Sequence, residues 1–434
     1  MVQKKSPFDL QKCARPNILA LQPYRCARDD YKDDGTNILL DANENAYGPG
    51  LSIDPNGTID EHKSSVDLDL LGLHRYPDPH QPDLKRLLCS LRNTHTHTSK
   101  DLTPDNLFVG VGSDEAIDNL LRCFCTPGKD KILTCPPTYG MYKVSACVND
   151  VAVVAVPLRV EDNFRMDVPA VLEALSSNAD IKLVYLCSPG NPTGTLIPKE
   201  DIRPILEHPT WNGIVVLDEA YIDFAPDGAS LAEWVLEWPN LVVMQTLSKA
   251  FGLAGIRLGA AFADPAVAQL LNNLKAPYNI SNPTSQIAQA ALKPDNLSVM
   301  RENRKKILAQ RDRMIEELPK IPGIGNFKGG YTSNFLLVEM LDAPKEEGGK
   351  PSNDVALKVY ETLAESKGVV VRFRGNEIGC LGCLRITVGT KEEVDRFLKE
   401  IEAVLSDIYT GRTSTKATTK GAQRKDLAAN GTVA

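Results

Sequence analysis

One lysine follows a predicted buried strand, a place where a surface charge would be unusual. The segment TLSKAFGLAGIRLG at 246–259 continues the apolar run LVVMQT and places Lys249 after Ser248 and ahead of three glycines. Open parallel sheets bind ligands beyond the carboxyl ends of their strands. A lysine there can serve as a Schiff-base amine, since partial desolvation favours its neutral, nucleophilic form. A solvated lysine in a turn would fit the same letters, so this segment alone leaves both interpretations open.

A carboxylate, Asp218, ends another predicted strand in the segment GIVVLDEAYIDF at 213–224. Burying a carboxylate is costly unless a cation or strong hydrogen-bond donors face it. A protonated pyridine nitrogen would be such a cation, and the pairing would keep the ring charged and able to accept electrons. A helix N-cap and a buried salt bridge are the alternative roles for this aspartate.

Two glycine-containing turns supply further polar groups. SPGNPTGTLIP at 188–198 has Asn191 at its centre, whose side chain offers both a donor and an acceptor. VGVGSDEA at 109–116 leads through its glycines into Ser113, which we predict to be a helix N-cap. Such a turn directs backbone N–H groups and a helix dipole at an anion such as a phosphate. It lacks the G-x-G-x-x-G spacing, which disfavours a dinucleotide site.

Seven short apolar runs would position these groups. They are rich in Val, Leu and Ile with little alternation, which is typical of a sheet buried on both faces. Helical patterns at 113–124 and 166–178 lie between them, so we predict an α/β fold with a mainly parallel sheet. The runs are LFVGV (107–111), KILTC (131–135), VAVVAV (151–156), KLVYLC (182–187), GIVVLD (213–218), LVVMQT (241–246) and GAAFA (259–263).

After Pro265 the pattern changes to a smaller α+β domain. A helix-like region covers 285–318, strand candidates lie at 334–340, 368–373 and 383–388, and helices at 354–366 and 391–408. We therefore divide the chain into an N-terminal arm that belongs to the small domain (1–45), a large domain (46–280), the small domain (281–410) and a tail rich in Ser, Thr, Lys and Ala that we expect to be disordered (411–434).

Composition excludes several classes of function. A formal net charge of −7 disfavours non-specific nucleic-acid binding. No apolar run is long enough to span a bilayer and the first residues lack an apolar signal segment, so we expect a cytoplasmic protein. The Cys380–Cys383 pair has no second pair at metal spacing, and we predict no metal. His95 and His97 lie in the polar stretch NTHTHTS, which we interpret as a solvated loop.

The motifs SDEA, PTYGMY, GNPTG, DEAY and TLSKAFGLAGIRLG, in this order, resemble those of the fold-type-I aminotransferases. With RYPDP (75–79) and CLRITVG (383–389), the set closely resembles the histidinol-phosphate aminotransferase family. A single motif such as NPTG is weak, whereas seven in register are specific. The resemblance runs from about residue 40 to about residue 409. It implies a large domain with a mainly parallel seven-stranded sheet, a smaller α+β domain, and a transaminase that depends on pyridoxal 5′-phosphate.

This resemblance implies a role for each cofactor-site residue. Lys249 would carry the cofactor as a Schiff base and later move a proton between substrate and cofactor. Asp218 would hold the pyridine nitrogen, and Tyr221 with Asn191 would hydrogen-bond the phenolic oxygen. Tyr139 would stack on the ring, unless it is a core tyrosine. The cofactor phosphate would be held by five residues of two turns, namely Ser113, Asp114, Thr246, Ser248 and Arg257.

The resemblance also implies substrate contacts. Arg385 would bind the carboxylate of glutamate or the phosphate of histidinol phosphate, since a guanidinium forks onto either anion. Arg372 is the second candidate for binding the substrate phosphate. We prefer it to Arg374, two residues further on, because it lies 13 positions before Arg385 in the sequence (385 − 372 = 13). Arginines in strands near a domain edge are also often surface ion pairs. Tyr24 and Asn43 are further candidates that would close over the substrate.

Tyr76, in RYPDP, would contact the cofactor phosphate of the other subunit, which implies a homodimer with shared active sites. Without the resemblance, RYPDP is only a turn with an aromatic anchor. The segment 50–72 beside it is longer than in the compact bacterial pattern, and we interpret it as a surface loop.

The implied activity is amino-group transfer between histidinol phosphate and 2-oxoglutarate, with glutamate as the product or donor, in L-histidine biosynthesis. An aromatic amino-acid transaminase and a threonine-phosphate decarboxylase are the alternatives on the same scaffold. A cofactor-binding protein without catalysis is disfavoured because Lys249, Asp218, Tyr221, Asn191 and Arg257 are all present.

Overall fold

The computed structural model describes residues 36–51 and 73–411. Tyr24, most of the 50–72 segment and the predicted tail from residue 412 onward lie outside the described residues. The strands are β1 (Ile38–Leu39), β2 (Leu107–Val111), β3 (Lys131–Thr134), β4 (Ala152–Ala155), β5 (Ile181–Cys187), β6 (Ile214–Asp218), β7 (Leu241–Thr246), β8 (Leu258–Phe262), β9 (Ile324–Lys328), β10 (Phe335–Met340), β11 (Val369–Val370), β12 (Arg372–Phe373) and β13 (Cys383–Thr387).

The α-helices of the described residues are α1 (Pro82–Arg92), α2 (Gly112–Phe124), α3 (Met141–Val148), α4 (Val168–Ser177), α5 (Lys199–Leu206), α6 (Pro265–Leu274), α7 (Asn282–Ala291), α8 (Pro294–Glu317), α9 (Asn353–Ser366) and α10 (Lys391–Tyr409). Across the described ranges, no helix combines the length and the apolar composition needed to cross a bilayer.

The described residues form two compact units. One contains residues 44–51, 73–306 and 330–333, and the other contains 36–43, 307–329 and 334–411. The units divide between residues 306 and 307, within α8, whereas the boundary that we predicted at 280 precedes α7.

The first unit is built on a seven-stranded sheet with the order β2-β8-β7-β6-β5-β3-β4. The pairs from β4 through β7 are parallel, and β8 runs antiparallel to both β7 and β2. Every residue of β6, β7 and β8 is buried, while the end residues of the edge strand β4 are exposed. The predicted mainly parallel α/β fold is confirmed, and the expected burial on both faces fails at the edge strand β4.

The second unit contains a four-stranded antiparallel sheet with the order β12-β13-β10-β9, and a parallel pair formed by β1 and β11. The apolar run that we predicted as one strand at 368–373 is divided between these two sheets, with Val371 between β11 and β12.

The helix-like region predicted at 285–318 is helical, and it contains two helices, α7 and α8. Pro294 is the first residue of α8, and proline has no N–H with which to continue the hydrogen bonds of α7. Pro265 is likewise the first residue of its helix, α6. The preceding Asp264 caps that helix, because its Oδ1 accepts the N–H of Ala266 at 2.9 Å.

The backbone of the NTHTHTS loop is hydrogen-bonded to one buried side chain. The buried carboxylate of Glu233 accepts the backbone N–H groups of Thr94, His95 and His97 at 3.1, 2.9 and 2.5 Å. The His97 ring also bonds the carbonyl of Gly228 at 2.9 Å. The stretch is a loop with Thr94, His95 and Thr96 exposed, as predicted, and one buried acceptor organises its backbone.

Candidate active site

The carboxyl ends of β5, β6 and β7 lie at one edge of the seven-stranded sheet. Cys187, which ends β5, is in register with Asp218 at the end of β6. The turn that contains Asn191 follows β5, and Thr246 ends β7 shortly before Lys249. Because parallel strands present the same end to one edge, this edge gathers Asn191, Asp218 and Lys249, as the sequence predicted.

Asp218 is buried, with 3% of its surface exposed. Its Oδ2 accepts the Tyr142 hydroxyl at 2.6 Å, and its Oδ1 accepts the N–H of Ala220 at 3.1 Å. Burial raises the pKa of Asp218 to about 6, and the two hydrogen bonds and the charge of Lys249 oppose that rise. A cation placed against this carboxylate would remove much of the desolvation penalty.

Lys249 shares this site. Its Nζ lies 5.9 Å from the centroid of the Tyr221 ring, and its charge lowers the pKa of Asp218. Tyr221 is buried and Lys249 is partly buried. The arrangement places an amine, a phenol and a buried carboxylate within electrostatic reach of one another.

A first turn beside this site surrounds the start of α2. The helix begins at Gly112, whose φ of 70° is in the left-handed region. The Gly112 N–H donates to the carbonyl of Arg257 at 2.9 Å, and Arg257 Nη2 lies 3.4 Å from Asp114 Oδ2. Half of the Arg257 side chain is exposed, so this ion pair is open to a competing anion. The first N–H groups of α2 point outward along the positive end of its dipole.

The prediction that Ser113 is the N-cap of α2 is wrong. The capping position is Val111, without a side-chain cap, and Ser113 is the second residue of the helix. The positive φ of Gly112 lets the helix start before the serine. Ser113 therefore stays beside the free end of the helix, where its own N–H is one of those outward donors.

A second turn joins β7 to β8 and contacts the first. Thr246 Oγ1 lies 2.9 Å from Ser248 Oγ and accepts the N–H of Ser248 at 3.1 Å. A methyl group on Gly259 would lie 2.3 Å from the backbone nitrogen of Ser113, so only glycine permits this approach. The two turns together form a cradle of N–H, hydroxyl and guanidinium donors suited to a phosphate.

Two aromatic side chains border the site. Tyr139 is partly exposed, packs against the hydrophobic core, and donates to Asp114 Oδ1 at 3.1 Å. It meets Tyr142 edge to face at 5.5 Å between ring centroids.

Asn191 is buried, in a turn closed by a bond from the Gly194 N–H to the Gly190 carbonyl at 2.7 Å.

Tyr76 is separate from these contacts. Its side chain is 80% exposed, and its ring stacks on Tyr278 with 4.5 Å between centroids. No other side chain among the large apolar residues of the described ranges is as exposed.

The predicted substrate residues that the structure describes lie in the second unit. Arg385 is buried in β13, donates to the carbonyl of Asp41, and lies 5.4 Å from the Phe335 ring centroid. Its partner across the strand pair is Arg372. Residues directly opposite each other project on the same face, and two like charges there are unfavourable unless an anion lies between them.

Arg374 is engaged elsewhere, because its Nη1 forms an ion pair with Glu377 Oε1 at 2.6 Å. Asn43 is tied to β13, since its Oδ1 accepts the Thr387 hydroxyl at 2.9 Å. Thr387 and Arg385 are two residues apart in β13 and therefore project from the same face of the strand. Asn43 bonds Thr387 and Arg372 is opposite Arg385, so Asn43, Arg385 and Arg372 lie on one side of this sheet.

Tyr142 is the residue of the site that we did not predict. It lies in the motif PTYGMY, in which only Tyr139 was singled out. Its partner Asp218 is 76 residues away in sequence, and no local pattern indicates that contact.

Comparisons with known proteins agree with this geometry. The family model for aminotransferase class I and II matches residues 36–401. The histidinol-phosphate aminotransferase of Schizosaccharomyces pombe is 53% identical over 403 residues, which cover 93% of this chain and 99% of that protein. That of Saccharomyces cerevisiae is 47% identical over 406 residues, covering 92% and 98%.

A solved structure shows the same fold at lower identity. The histidinol-phosphate aminotransferase from Sinorhizobium meliloti, in complex with pyridoxal 5′-phosphate, aligns with a TM-score of 0.74 and 24% identity over 91% of this chain and 98% of that one. The chain therefore belongs to the class I and II aminotransferases, within the histidinol-phosphate aminotransferase family.

Proposed function

We propose that this chain transfers an amino group between histidinol phosphate and 2-oxoglutarate with pyridoxal 5′-phosphate as its cofactor. The observation that carries the proposal is the placement of Asp218 and Lys249 at one edge of the sheet, where the buried carboxylate accepts two neutral hydrogen-bond donors and lies within electrostatic reach of the amine. The similarity to the two yeast aminotransferases supports the substrate.

The residues of the first unit fit this cofactor. A pyridinium nitrogen would give Asp218 the cation that its burial calls for. The cradle formed by Ser113, Asp114, Thr246, Ser248 and Arg257 supplies N–H, hydroxyl and guanidinium donors for a phosphate. When bound, the cofactor supplies an electron sink for the carbon that loses its proton.

The protein's own groups then have distinct tasks. Lys249 would hold the cofactor covalently and, once released, would carry a proton to and from the substrate carbon. Tyr221 and Asn191 would hydrogen-bond the phenolic oxygen of the cofactor, and Tyr139 would lie against its ring. Asp218 would hold the pyridine nitrogen in its protonated form, which raises the rate more than it raises the affinity for substrate.

Substrate recognition is assigned to the second unit. Two arginines in cross-strand register are a suitable receptor for a dianionic phosphate, because each guanidinium offers two parallel N–H donors. We therefore assign the substrate anion to Arg385 and Arg372. Arg374, which is already paired with Glu377, is a less suitable receptor. Asn43 stays a prediction as a substrate contact, and so does Tyr24.

Reduction with borohydride tests the cofactor assignment. The purified protein should be yellow, and reduction should leave the cofactor on the peptide that contains Lys249. Lys249→Ala should lose that covalent product while keeping its fold by circular dichroism. Cofactor found on another lysine would refute the assignment.

Turnover with three donors tests the substrate. Histidinol phosphate with 2-oxoglutarate should react at least tenfold faster, as kcat/KM, than phenylalanine with 2-oxoglutarate, since phenylalanine lacks the phosphate. Carbon dioxide release from threonine phosphate without 2-oxoglutarate would instead indicate a decarboxylase. Faster reaction with phenylalanine would indicate an aromatic transaminase.

We also propose a homodimer in which Tyr76 contacts the cofactor phosphate of the partner subunit. The support is that the Tyr76 ring is held by Tyr278 yet remains exposed in the single chain. Cytoplasmic residence likewise stays a prediction.

Mixed dimers test the sharing of sites. Subunits carrying Lys249→Ala are mixed with subunits carrying Tyr76→Ala, each nearly inactive alone. If Tyr76 acts in the partner's site, each hybrid dimer regains one intact site, which is about a quarter of all sites after random mixing. If Tyr76 acts within its own subunit, no intact site forms and activity stays at the sum of the two parents.

A further inference from the structure

Asp218 has a buried hydrogen-bond donor that the proposed chemistry does not otherwise use. Tyr142 lies in α3, is fully buried, and donates its hydroxyl to Asp218 Oδ2 at 2.6 Å. That distance is typical of an O–H donor facing a charged oxygen. The Tyr142 ring packs against two other rings: Tyr139 in a T-shaped contact with 5.5 Å between centroids, and Tyr185 in a stacked contact with 4.8 Å between centroids.

The hydrogen bond from Tyr142 favours the ionised form of Asp218. Burial and the charge of Asp114 favour the neutral acid, whereas Tyr142, the Ala220 N–H and Lys249 favour the carboxylate. The donors to the carboxylate lower its affinity for a proton. When a pyridine nitrogen shares one proton with Asp218, a weaker carboxylate base leaves that proton on the nitrogen. Tyr142 thus acts on the cofactor ring through Asp218 without touching it.

We propose that Tyr142 is a positioning residue that keeps the shared proton on the pyridine nitrogen of the cofactor. The proposal rests on the function proposed for Asp218. Because Tyr142 is also part of the core, its loss must be distinguished from loss of packing.

Tyr185 is a matched control for that purpose. It is equally buried, lies in β5 against the same ring, and donates its hydroxyl to the carbonyl of Ile117 at 3.2 Å. Tyr142→Phe and Tyr185→Phe each remove one buried phenol hydroxyl. The first removes a hydrogen bond to Asp218 and a contact with the Cys187 thiol, whereas the second removes a hydrogen bond to the Ile117 carbonyl.

The test uses full-length holoprotein with a cofactor labelled with ¹⁵N at the pyridine nitrogen. The wild type must first show the cofactor attached to Lys249 and a protonated ¹⁵N resonance; without these, the proposed function fails before Tyr142 is at issue. Tyr142→Phe should move the resonance toward that of a neutral pyridine, while Tyr185→Phe should leave it at the wild-type position. Turnover provides a second readout, in which Tyr142→Phe lowers kcat about tenfold or more with little change in KM.

A second variant keeps the test decisive if Tyr142→Phe folds poorly. Tyr142→His replaces the phenol with an imidazole that can still donate an N–H to Asp218. It should hold the resonance closer to the wild-type position than phenylalanine does. An unchanged resonance in Tyr142→Phe, equal shifts in Tyr142→Phe and Tyr185→Phe, or equal shifts in the His and Phe variants would each overturn the proposal.

Discussion

Replacing Asp218 with asparagine should make the cofactor-free protein less sensitive to pH. Asparagine has nearly the same shape but no charge, so it removes the cost of ionising a buried group. In the wild type that cost depends on pH, because burial raises the pKa of Asp218 from the ordinary value of 3.8 to about 6.

The size of the effect follows from this shift. The pKa is higher in the folded state than in the unfolded state, so the stabilising contribution of the neutral acid is full below about pH 4 and is lost as pH rises through about 6. A shift of about two units corresponds to about 3 kcal/mol in the free energy of unfolding, and roughly half of it develops between about pH 5 and pH 8.

Urea unfolding of the apoprotein at several pH values measures this contribution. The quantity of interest is the free energy of unfolding of Asp218→Asn minus that of the wild type, which cancels the titration of all other groups. That difference should rise by between 1 and 2 kcal/mol, as an order of magnitude, from about pH 5 to pH 8.

A flat difference for Asp218→Asn would refute the reasoning, because it would mean that the carboxylate is already compensated in the apoprotein. A difference that falls with pH would mean that the pKa is lowered rather than raised. Either result would remove the physical reason for expecting a cation against Asp218.

Three other changes test the remaining parts of the structure. Gly259→Ala should weaken cofactor binding by the apoprotein at least tenfold, because the added methyl group meets backbone at 2.3 Å, whereas Gly255→Ala has no atom within 4 Å and should bind normally in a fluorescence titration. Arg385→Lys should raise the KM for histidinol phosphate about tenfold, since an ammonium cannot fork onto an anion, and Arg374→Lys should change it little; equal effects would remove Arg385 from the site. Glu233→Gln should lower the free energy of unfolding by about 2 kcal/mol, because three loop N–H groups lose a charged acceptor, and thermal melting without any loss would contradict that role.

The strands of the first unit could be predicted because each is a run of apolar residues. All seven runs correspond to strands, and β7 has the predicted bounds. Strand β9 was missed because IGNFK mixes polar and apolar residues, and α3 was missed because it begins directly after a turn. Periodicity carries no signal for such short elements.

The candidate site residues could be predicted from motifs, whereas the contacts between them could not. The preference for Arg372 over Arg374 came from a sequence distance to Arg385, whereas the cross-strand register of Arg372 with Arg385 depends on how β12 meets β13. The same holds for Tyr142, whose bond to Asp218 depends on the packing of α3 against the sheet. Contacts of this kind depend on tertiary structure and are not encoded by local spacing.

The order of strands in the large sheet has a consequence for biosynthesis of the protein. Strand β2 pairs with β8 and with no other strand of that sheet, although the two are separated by about 150 residues of chain. The proposed phosphate cradle needs the end of β2 and the turn before β8, so a nascent chain cannot assemble it until the first residues of β8 have left the ribosome. Pyridoxal 5′-phosphate held there would therefore stabilise only folding species that already contain β8, and a shortage of it should leave earlier intermediates unaffected.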